Sequence, residues 1–94
     1  MALTGISVET LCNELKDKKT KVSCSDGFEG CFENVYTQPF DPSYISLYNG
    51  AKFDKNNGIV ILNINHVYMI NNQSYIIICS QHLQKCKLFY IECL

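Results

Sequence analysis

The sequence predicts a mainly β domain with one N-terminal helix, folded as a small, strongly bent β-barrel. Three observations support this class: an amphipathic helical pattern over about 7–18, a series of short strand-like segments after it, and turn residues between those segments. With 94 residues the chain forms a single domain. We assign the barrel strands to about 21–80 and a C-terminal β extension to 81–94.

The helix is predicted from apolar residues that recur on one helical face. Val8, Leu11, Cys12 and Leu15 are spaced at i, i+3, i+4 and i+7. Ser7 stands just before them, where its hydroxyl can accept a hydrogen bond from an unpaired backbone N–H. We therefore expect the helix to begin after Ser7.

The strands are predicted from alternation, β-branched residues and turn residues. The segments are 21–25, 30–36, 44–48, 58–62, 67–70 and 73–80, with the alternating tail 88–93 as a candidate seventh. The run 59–62 is continuously apolar, which predicts burial on both faces or at a junction between protomers. Alternation alone leaves open which face of 30–36 points inward.

Composition limits the classes of partner. The net charge is −1 and the chain contains no arginine, which counts against nucleic-acid recognition. Abundant Asn and Ile without Arg or Trp indicate an AT-rich coding sequence, so a low-GC bacterium or its phage is the expected source. No apolar run is long enough for a membrane span, and the first residues lack the pattern of a secretion signal. We therefore expect a cytoplasmic protein that does not bind membranes.

The six cysteines are expected to be reduced and to pack as small hydrophobic residues. The alternative is a disulfide between Cys24 and Cys31 across the first hairpin, which a reducing cytosol would not preserve. A zinc site is a second alternative, because thiolates and an imidazole are the ligands that zinc prefers. Its four ligands would be Cys79, His82, Cys86 and Cys93.

The order of one helix and about five short, bent strands resembles the Sm-like small barrels, including the Hfq branch. The resemblance covers about 7–70. It rests on the lysine-rich end of the helix, the strand Val22-Ser23-Cys24, the turn Asp26-Gly27, Gly30, and the strand pair 59–62 and 67–70. SH3-like barrels share much of this pattern.

The resemblance implies RNA or nucleotide binding at the connection 63–66, with contacts from Asn63, Asn65 and His66. The chain departs from the family here: the Arg-Gly pair of many members is missing, and Asn65-His66 stands where the Hfq branch has Lys-His. Gly27 and Gly30 are also closer together than is usual. A second cluster contains Lys16, Lys18, Lys19 and Lys21, and it either solvates the helix end or forms a rim that contacts phosphate.

Aromatic residues are concentrated around the proline-containing loop: Tyr36, Phe40, Tyr44, Tyr48 and Phe53. We expect most of them to fill the core. Exposed together, they would form a protein-binding patch or a platform for base stacking.

Neither a P-loop nor a nucleophile turn is present, so the sequence predicts a protein that is not an enzyme and has no cofactor. We expect a binding or assembly module that contacts RNA or a nucleotide. The alternative is a protein-interaction module, such as a phage or mobile-element inhibitor or a small regulatory subunit. We also expect a homo-oligomer that forms through strand edges, with 59–62 or 75–79 at the seam.

Overall fold

The computed structural model describes residues 3–38, 41–80 and 88–94, which form one helix and nine strands. The helix is α1 (Val8–Leu15). The strands are β1 (Thr4–Ile6), β2 (Thr20–Cys24), β3 (Glu29–Phe32), β4 (Asn34–Gln38), β5 (Asp41–Tyr48), β6 (Gly58–Ile61), β7 (Ile64–Asn71), β8 (Ser74–Cys79) and β9 (Leu88–Cys93).

The strands form two antiparallel sheets. The larger has six strands in the order β1-β7-β8-β9-β2-β3, and the smaller has three in the order β4-β5-β6. β8 pairs with β7 on one side and with β9 on the other. β9 lies between β8 and β2, so the C-terminal strand is an internal member of the larger sheet.

Two bent connections lead from one sheet to the other. Only Glu33 separates β3 from β4, and only Leu62 and Asn63 separate β6 from β7. Asn63 adopts φ 54°, a left-handed conformation that asparagine tolerates better than most residues. In the part of the chain that the structure describes, the ladders remain two separate sheets and do not close into one barrel.

The core lies between the sheets and is covered by α1. Val8, Leu11 and Leu15 form the buried face of the helix. They belong to the same apolar cluster as Ile45 and Leu47 of β5. The cluster also contains Val22, Phe32, Ile61, Val67, Tyr75, Ile77, Cys79, Phe89 and Ile91.

The start of the helix is as predicted, but its end is not. Ser7 is the N-cap, and its Oγ accepts a hydrogen bond from the backbone N–H of Thr10 at 3.0 Å. The helix ends at Leu15, three residues before the predicted limit, because Lys16 leaves the helical conformation with ψ 134° and Asp17 adopts φ 63°.

The mainly β class with one short N-terminal helix is confirmed, but several boundaries differ from the predictions. The predicted strand 30–36 is two strands, because the chain bends at Glu33. The predicted connection 63–66 is mostly strand, since β7 begins at Ile64. β1 was not predicted at all, and its pairing with β7 holds the N-terminal residues at the edge of the larger sheet.

Candidate functional site

A groove lies where β1 leaves the larger sheet and turns into α1. β1 pairs Thr4, Gly5 and Ile6 with Met69, Tyr68 and Val67. The chain then turns at Ser7, so β1 does not extend along Ile64, Asn65 and His66. The space left there has a volume of about 380 Å³ and is lined by the segments 5–8 and 64–68.

One wall of the groove is aromatic. His66 and Tyr68 alternate onto the same face of β7, and their rings stack with centroids 5.9 Å apart and planes inclined by 25°. Gly5 is the direct strand partner of Tyr68, and a Cβ at position 5 would lie in ordinary contact with the tyrosine ring, 3.9 Å from Cε1. The imidazole of His66 is exposed to solvent. A planar ligand can therefore approach a stacked pair of rings.

Two of the three predicted ligand contacts lie in this groove. Asn65 and His66 line it, whereas Asn63 forms the bend before β7 and is not among the lining residues. The Oγ of Ser80 donates to Asn65 Oδ1 at 2.9 Å, and the N–H of Ser80 donates to the Asn63 carbonyl at 2.8 Å. Ser80, the residue after β8, thus holds both asparagines beside the groove.

The predicted lysine rim is elsewhere. Lys21 of β2 and His66 of β7 are separated by β8 and β9, and the strand register places them four residues apart along β8 and β9 and five along β7, which has a bulge. The distance is on the order of 20 Å from ordinary sheet spacings. Lys21 pairs with Glu29 at 3.4 Å, while Lys16, Lys18 and Lys19 are exposed around the turn after α1. The cluster and the groove therefore do not form one site.

A second surface is the solvent-facing side of β4, β5 and β6. In register, Tyr36 of β4 pairs with Ser46 of β5, which pairs with Val60 of β6. Tyr36 and Val60 are 49% and 37% exposed, whereas Ser46 between them is only 6% exposed. We call this surface the outer aromatic face, formed by Tyr36, Tyr44, Ser46, Tyr48, Phe53 and Val60.

The outer aromatic face contradicts the expectation that these aromatic residues mostly fill the core. Ile45 and Leu47 are the inward-facing residues of β5, so Tyr44 and Tyr48 alternate outward. Phe53 is 39% exposed and meets the ring of Tyr48 edge-on, with centroids 6.2 Å apart. Phe40 lies outside the described residues.

The cysteines differ from two expectations: that all six are reduced, and the alternative that Cys24 and Cys31 form a disulfide. Cys24 is disulfide-bonded, so the expectation that all the cysteines are reduced is wrong. Cys31 is a free, exposed thiol, so the alternative of a hairpin disulfide between Cys24 and Cys31 is also wrong. Cys12 and Cys93 are free thiols as well.

Only two of the four proposed zinc ligands lie among the described residues. Cys79 is buried and Cys93 is half-buried, while His82 and Cys86 lie outside the described residues. Within residues 3–38, 41–80 and 88–94, no three His, Cys, Asp or Glu side chains are grouped so that they could hold a metal ion. The zinc alternative therefore stays untested for the complete set of four.

A cluster of titratable groups lies beneath the end of α1. Tyr75 is completely buried, and its hydroxyl has no hydrogen-bond partner among the described residues. Burial raises the pKa of the Tyr75 phenol, and the nearby Cys93 and Glu14 raise it further. Burial also raises the pKa of the Cys93 thiol, against an opposing effect of Lys18.

Sequence reasoning missed the N-terminal wall of the groove and the ring of Tyr68. The sequence pattern assigns Ser7 to the helix cap, Val8 to the helix and Tyr68 to a short strand, and it gives none of them a place in the site. The alternation of His66 and Tyr68 around Val67 would have placed the two rings on one face. The pairing of Gly5 with Tyr68 is visible only in the folded chain.

These features define a small two-sheet β protein with a helix-covered core, a groove at one sheet edge and an exposed aromatic face. Comparison with known proteins adds no relative: no family model, curated protein or solved structure matches the chain. No helix in the described segments is long and apolar enough to cross a membrane.

Proposed function

We propose that this chain is a non-enzymatic binding module that takes a nucleobase, as part of RNA or of a free nucleotide, in the groove beside His66. The observation that carries the proposal is the stacked pair of His66 and Tyr68, in a groove that Asn65 also lines. Aromatic and imidazole rings stack on bases of any sequence, and an asparagine amide offers both a donor and an acceptor.

The charges around the groove indicate which part of a nucleotide it would bind. Lys21 of the lysine cluster is on the order of 20 Å from His66, which exceeds the screening length of about 8 Å at physiological salt, and none of the four lysines lines the groove. Phosphate contacts from these lysines therefore contribute little to binding at the groove. We infer that recognition is directed at one base and its sugar, and that affinity changes little with salt.

The small-barrel architecture belongs to the same proposal. The bends at Glu33 and at Leu62 and Asn63 lead the chain from one sheet to the other, as expected of a strongly bent Sm-like or SH3-like barrel. In that arrangement the groove stands at the start of β7, after the second bend. This is the place where the Sm-like resemblance puts a nucleotide contact.

Self-association through a strand edge stays a prediction for one of the two proposed seams. Residues 75–79 lie within β8, which is paired on both sides. The prediction of an edge contact at 75–79 is therefore wrong. β6 pairs with β5, and no second partner for it occurs among the described strands. A seam at 59–62 therefore remains the proposal for strand-edge assembly.

A cytoplasmic location also remains a proposal, and Cys24 argues against it. Disulfides persist in oxidising compartments and are rare in the cytosol. Because Cys24 is disulfide-bonded, an oxidising location fits this observation better.

The experiment is an NMR titration of the whole chain with adenosine monophosphate, uridine monophosphate and a short oligouridylate. We expect shift changes at Gly5, Asn65, His66 and Tyr68. The His66→Ala variant should bind at least about fivefold more weakly, because stacking of one base contributes about 1–3 kcal/mol. Affinity should change only slightly between low and moderate salt.

Asn72→Ala is the control, since Asn72 is exposed in the turn between β7 and β8 and is not among the lining residues. Its affinity should equal that of the unchanged chain. Shift changes confined to the lysine turn, or binding that His66→Ala leaves intact, would show that the groove is not the nucleotide site.

A further inference from the structure

We propose that Asn49 is a site of spontaneous deamidation in the folded chain, and that the carboxylate of Glu33 is the base that promotes the reaction. Two asparagines of the chain precede glycine, in Asn49-Gly50 and Asn57-Gly58. Glycine leaves its backbone nitrogen open to approach, because it has no side chain. The fold places these two similar sequences in different surroundings, and the difference selects Asn49. The inference does not depend on nucleotide binding.

The reaction consumes only water. The backbone nitrogen of Gly50 gives its proton to a base and attacks Cγ of Asn49, which forms a cyclic succinimide as the bond from Cγ to Nδ2 breaks. Nδ2 leaves as ammonia and takes up the proton that the base had accepted. Water then opens the succinimide at either carbonyl carbon, and the product is aspartate or isoaspartate at position 49. No electron is transferred, and the base is regenerated.

The nitrogen that must react already contacts a base. The N–H of Gly50 donates to Glu33 Oε1 at 3.2 Å. A carboxylate within hydrogen-bond reach of a proton can remove it as a general base. Glu33 is the single residue between β3 and β4, and its side chain is exposed. The bend between the two sheets therefore brings a base to the amide of Gly50.

The carboxamide of Asn49 is polarised by the same bend. The N–H of Glu33 donates to Asn49 Oδ1 at 3.0 Å, and a donor at this oxygen stabilises the negative charge that develops there during attack. Asn49 Nδ2 donates to the Cys31 carbonyl at 3.2 Å, and this bond must open before Cγ can reach the nitrogen. Asn49 is exposed and lines a cavity of about 270 Å³ with Cys31 and Glu33. Water can enter and ammonia can leave through this space.

The second sequence of the same kind is held more firmly. Gly58 is the first residue of β6 and belongs to the ladder with β5, so its peptide is fixed within a strand. Asn57 Nδ2 donates to the carbonyls of Asn49 and Lys52. Its Oδ1 accepts from the N–H of Asp54 at 2.7 Å. Attack on Asn57 must therefore disturb a strand pair and release all of these hydrogen bonds.

Deamidation of Asn49 would weaken one contact between the two sheets. Asn49 follows β5 of the smaller sheet, and Cys31 belongs to β3 of the larger one. An aspartate has no N–H for the Cys31 carbonyl, and its charge would lie beside that of Glu33. We expect Asn49→Asp to lower the urea midpoint of unfolding more than Asn72→Asp, which changes an exposed turn. Equal midpoints would overturn this consequence.

The test of the site is peptide mapping of the whole chain by mass spectrometry, after incubation at neutral pH in buffer or in guanidinium chloride. Trypsin cleaves between the two asparagines, after Lys52 and Lys55, so each asparagine is measured in its own peptide. The aspartate and isoaspartate products are separated by chromatography. The ratio of the two rates compares the sites within one sample, so it is independent of sample handling.

Two variants test the base. Glu33→Gln keeps an oxygen that can accept from the Gly50 N–H, but a carboxamide cannot take up the proton. Glu9→Gln is the matched control, because Glu9 is exposed on α1 and makes the same change of charge. Circular dichroism and thermal melting check that both variants are folded.

In the folded chain we expect Asn49 to deamidate at least about tenfold faster than Asn57, because local structure holds the second site closed. In guanidinium chloride the two should react at comparable rates, and Asn49 no faster than in buffer. Glu33→Gln should slow the folded reaction at Asn49 at least about tenfold, as expected for loss of a general base. Glu9→Gln should leave it unchanged.

Three results would overturn the proposal. If Asn49 reacts more slowly in the folded chain than in guanidinium chloride, its hydrogen bonds protect it and the bend does not promote the reaction. A folded chain in which Asn57 reacts as fast as Asn49 rejects the choice of site. An unchanged rate in Glu33→Gln, or equal slowing by Glu9→Gln, rejects Glu33 as the base.

Discussion

The ring of His66 stacks on the ring of Tyr68, with centroids 5.9 Å apart and planes 25° from parallel. Both residues belong to β7, two positions apart, and the buried Val67 between them fixes which face they share. Tyr68 still pairs with Gly5 of β1, whereas His66 lies just beyond the last pair of that ladder, Ile6 with Val67. The stack is the local feature on which the proposed binding of a planar ligand rests.

Replacing Tyr68 separates the contribution of the stack from that of the imidazole. Tyr68→Leu removes the aromatic neighbour while keeping an apolar side chain against Gly5, so nucleotide affinity should fall about tenfold, within the range for loss of one stacking contact. Tyr68→Phe keeps the ring and should bind within about twofold of the unchanged chain. Isothermal titration calorimetry with adenosine monophosphate measures both. Equal losses in the two variants would indicate a role for the hydroxyl instead of the stack.

The buried hydroxyl of Tyr75 should destabilise the fold. Because it has no hydrogen-bond partner among the described residues, Tyr75→Phe should raise the free energy of unfolding by about 1 kcal/mol at neutral pH. Tyr90→Phe is the matched control: the Tyr90 hydroxyl donates to Ser74 Oγ at 3.1 Å, so its loss should lower the free energy by about 1 kcal/mol. Urea denaturation measures both, and a loss of stability in Tyr75→Phe would contradict the prediction.

The same phenol predicts a loss of stability in alkali. Burial and the neighbouring Cys93 and Glu14 raise the pKa of Tyr75 in the folded chain above its ordinary value near 10. The tyrosine of the unfolded chain therefore ionises first. Its ionisation leaves the free energy of unfolding unchanged below about pH 10 and lowers it as the pH rises from there through the folded pKa. Urea midpoints measured from pH 8 to about pH 11 should fall less steeply for Tyr75→Phe. Parallel curves would show that another group controls the alkaline limit.

Gly58 has no room for a side chain. A Cβ at this position would lie 2.5 Å from the Leu47 carbonyl oxygen and 2.7 Å from Tyr48 Cβ. Gly58→Ala must therefore displace β6 from β5, and we expect a loss of about 2 kcal/mol in the free energy of unfolding. Gly5→Ala is the control, since its nearest contact would be Tyr68 Cε1 at 3.9 Å, and it should cost less than about 0.5 kcal/mol. Thermal and urea unfolding that rank the two variants in the opposite order would contradict this account.

The cysteines can be distinguished by alkylation of the native chain. Iodoacetamide without reductant should modify the exposed Cys31 and leave Cys24 unmodified, because a disulfide sulfur does not react as a thiolate. Cys12 should react more slowly than Cys31, since burial raises the pKa of its thiol. Peptide mass spectrometry identifies each site, and Cys24 should become modified after reduction and unfolding. Labelling of Cys24 before reduction would show that it is a free thiol in solution.

The sequence by itself determined the local features. Ser7 caps the helix because the cap needs only a hydroxyl three residues before Thr10, and β9 spans the alternating residues 88–93 as predicted. The mainly β class follows from the same short-range patterns. The predicted end of α1 was wrong because Asp17 adopts a left-handed conformation that the neighbouring residue types do not predict.

The tertiary structure decided which surfaces are free. The apolar runs 59–62 and 75–79 look alike in sequence, yet β6 has one strand partner among the described residues and β8 has two. Tyr36 and Tyr75 are both strand tyrosines, but the first is exposed and the second is buried. The groove likewise exists because β1 pairs with a strand more than 60 positions away and then leaves it. Strand pairing joins residues that are distant along the chain, so local patterns predict the strands but not the edges, faces and grooves that they form.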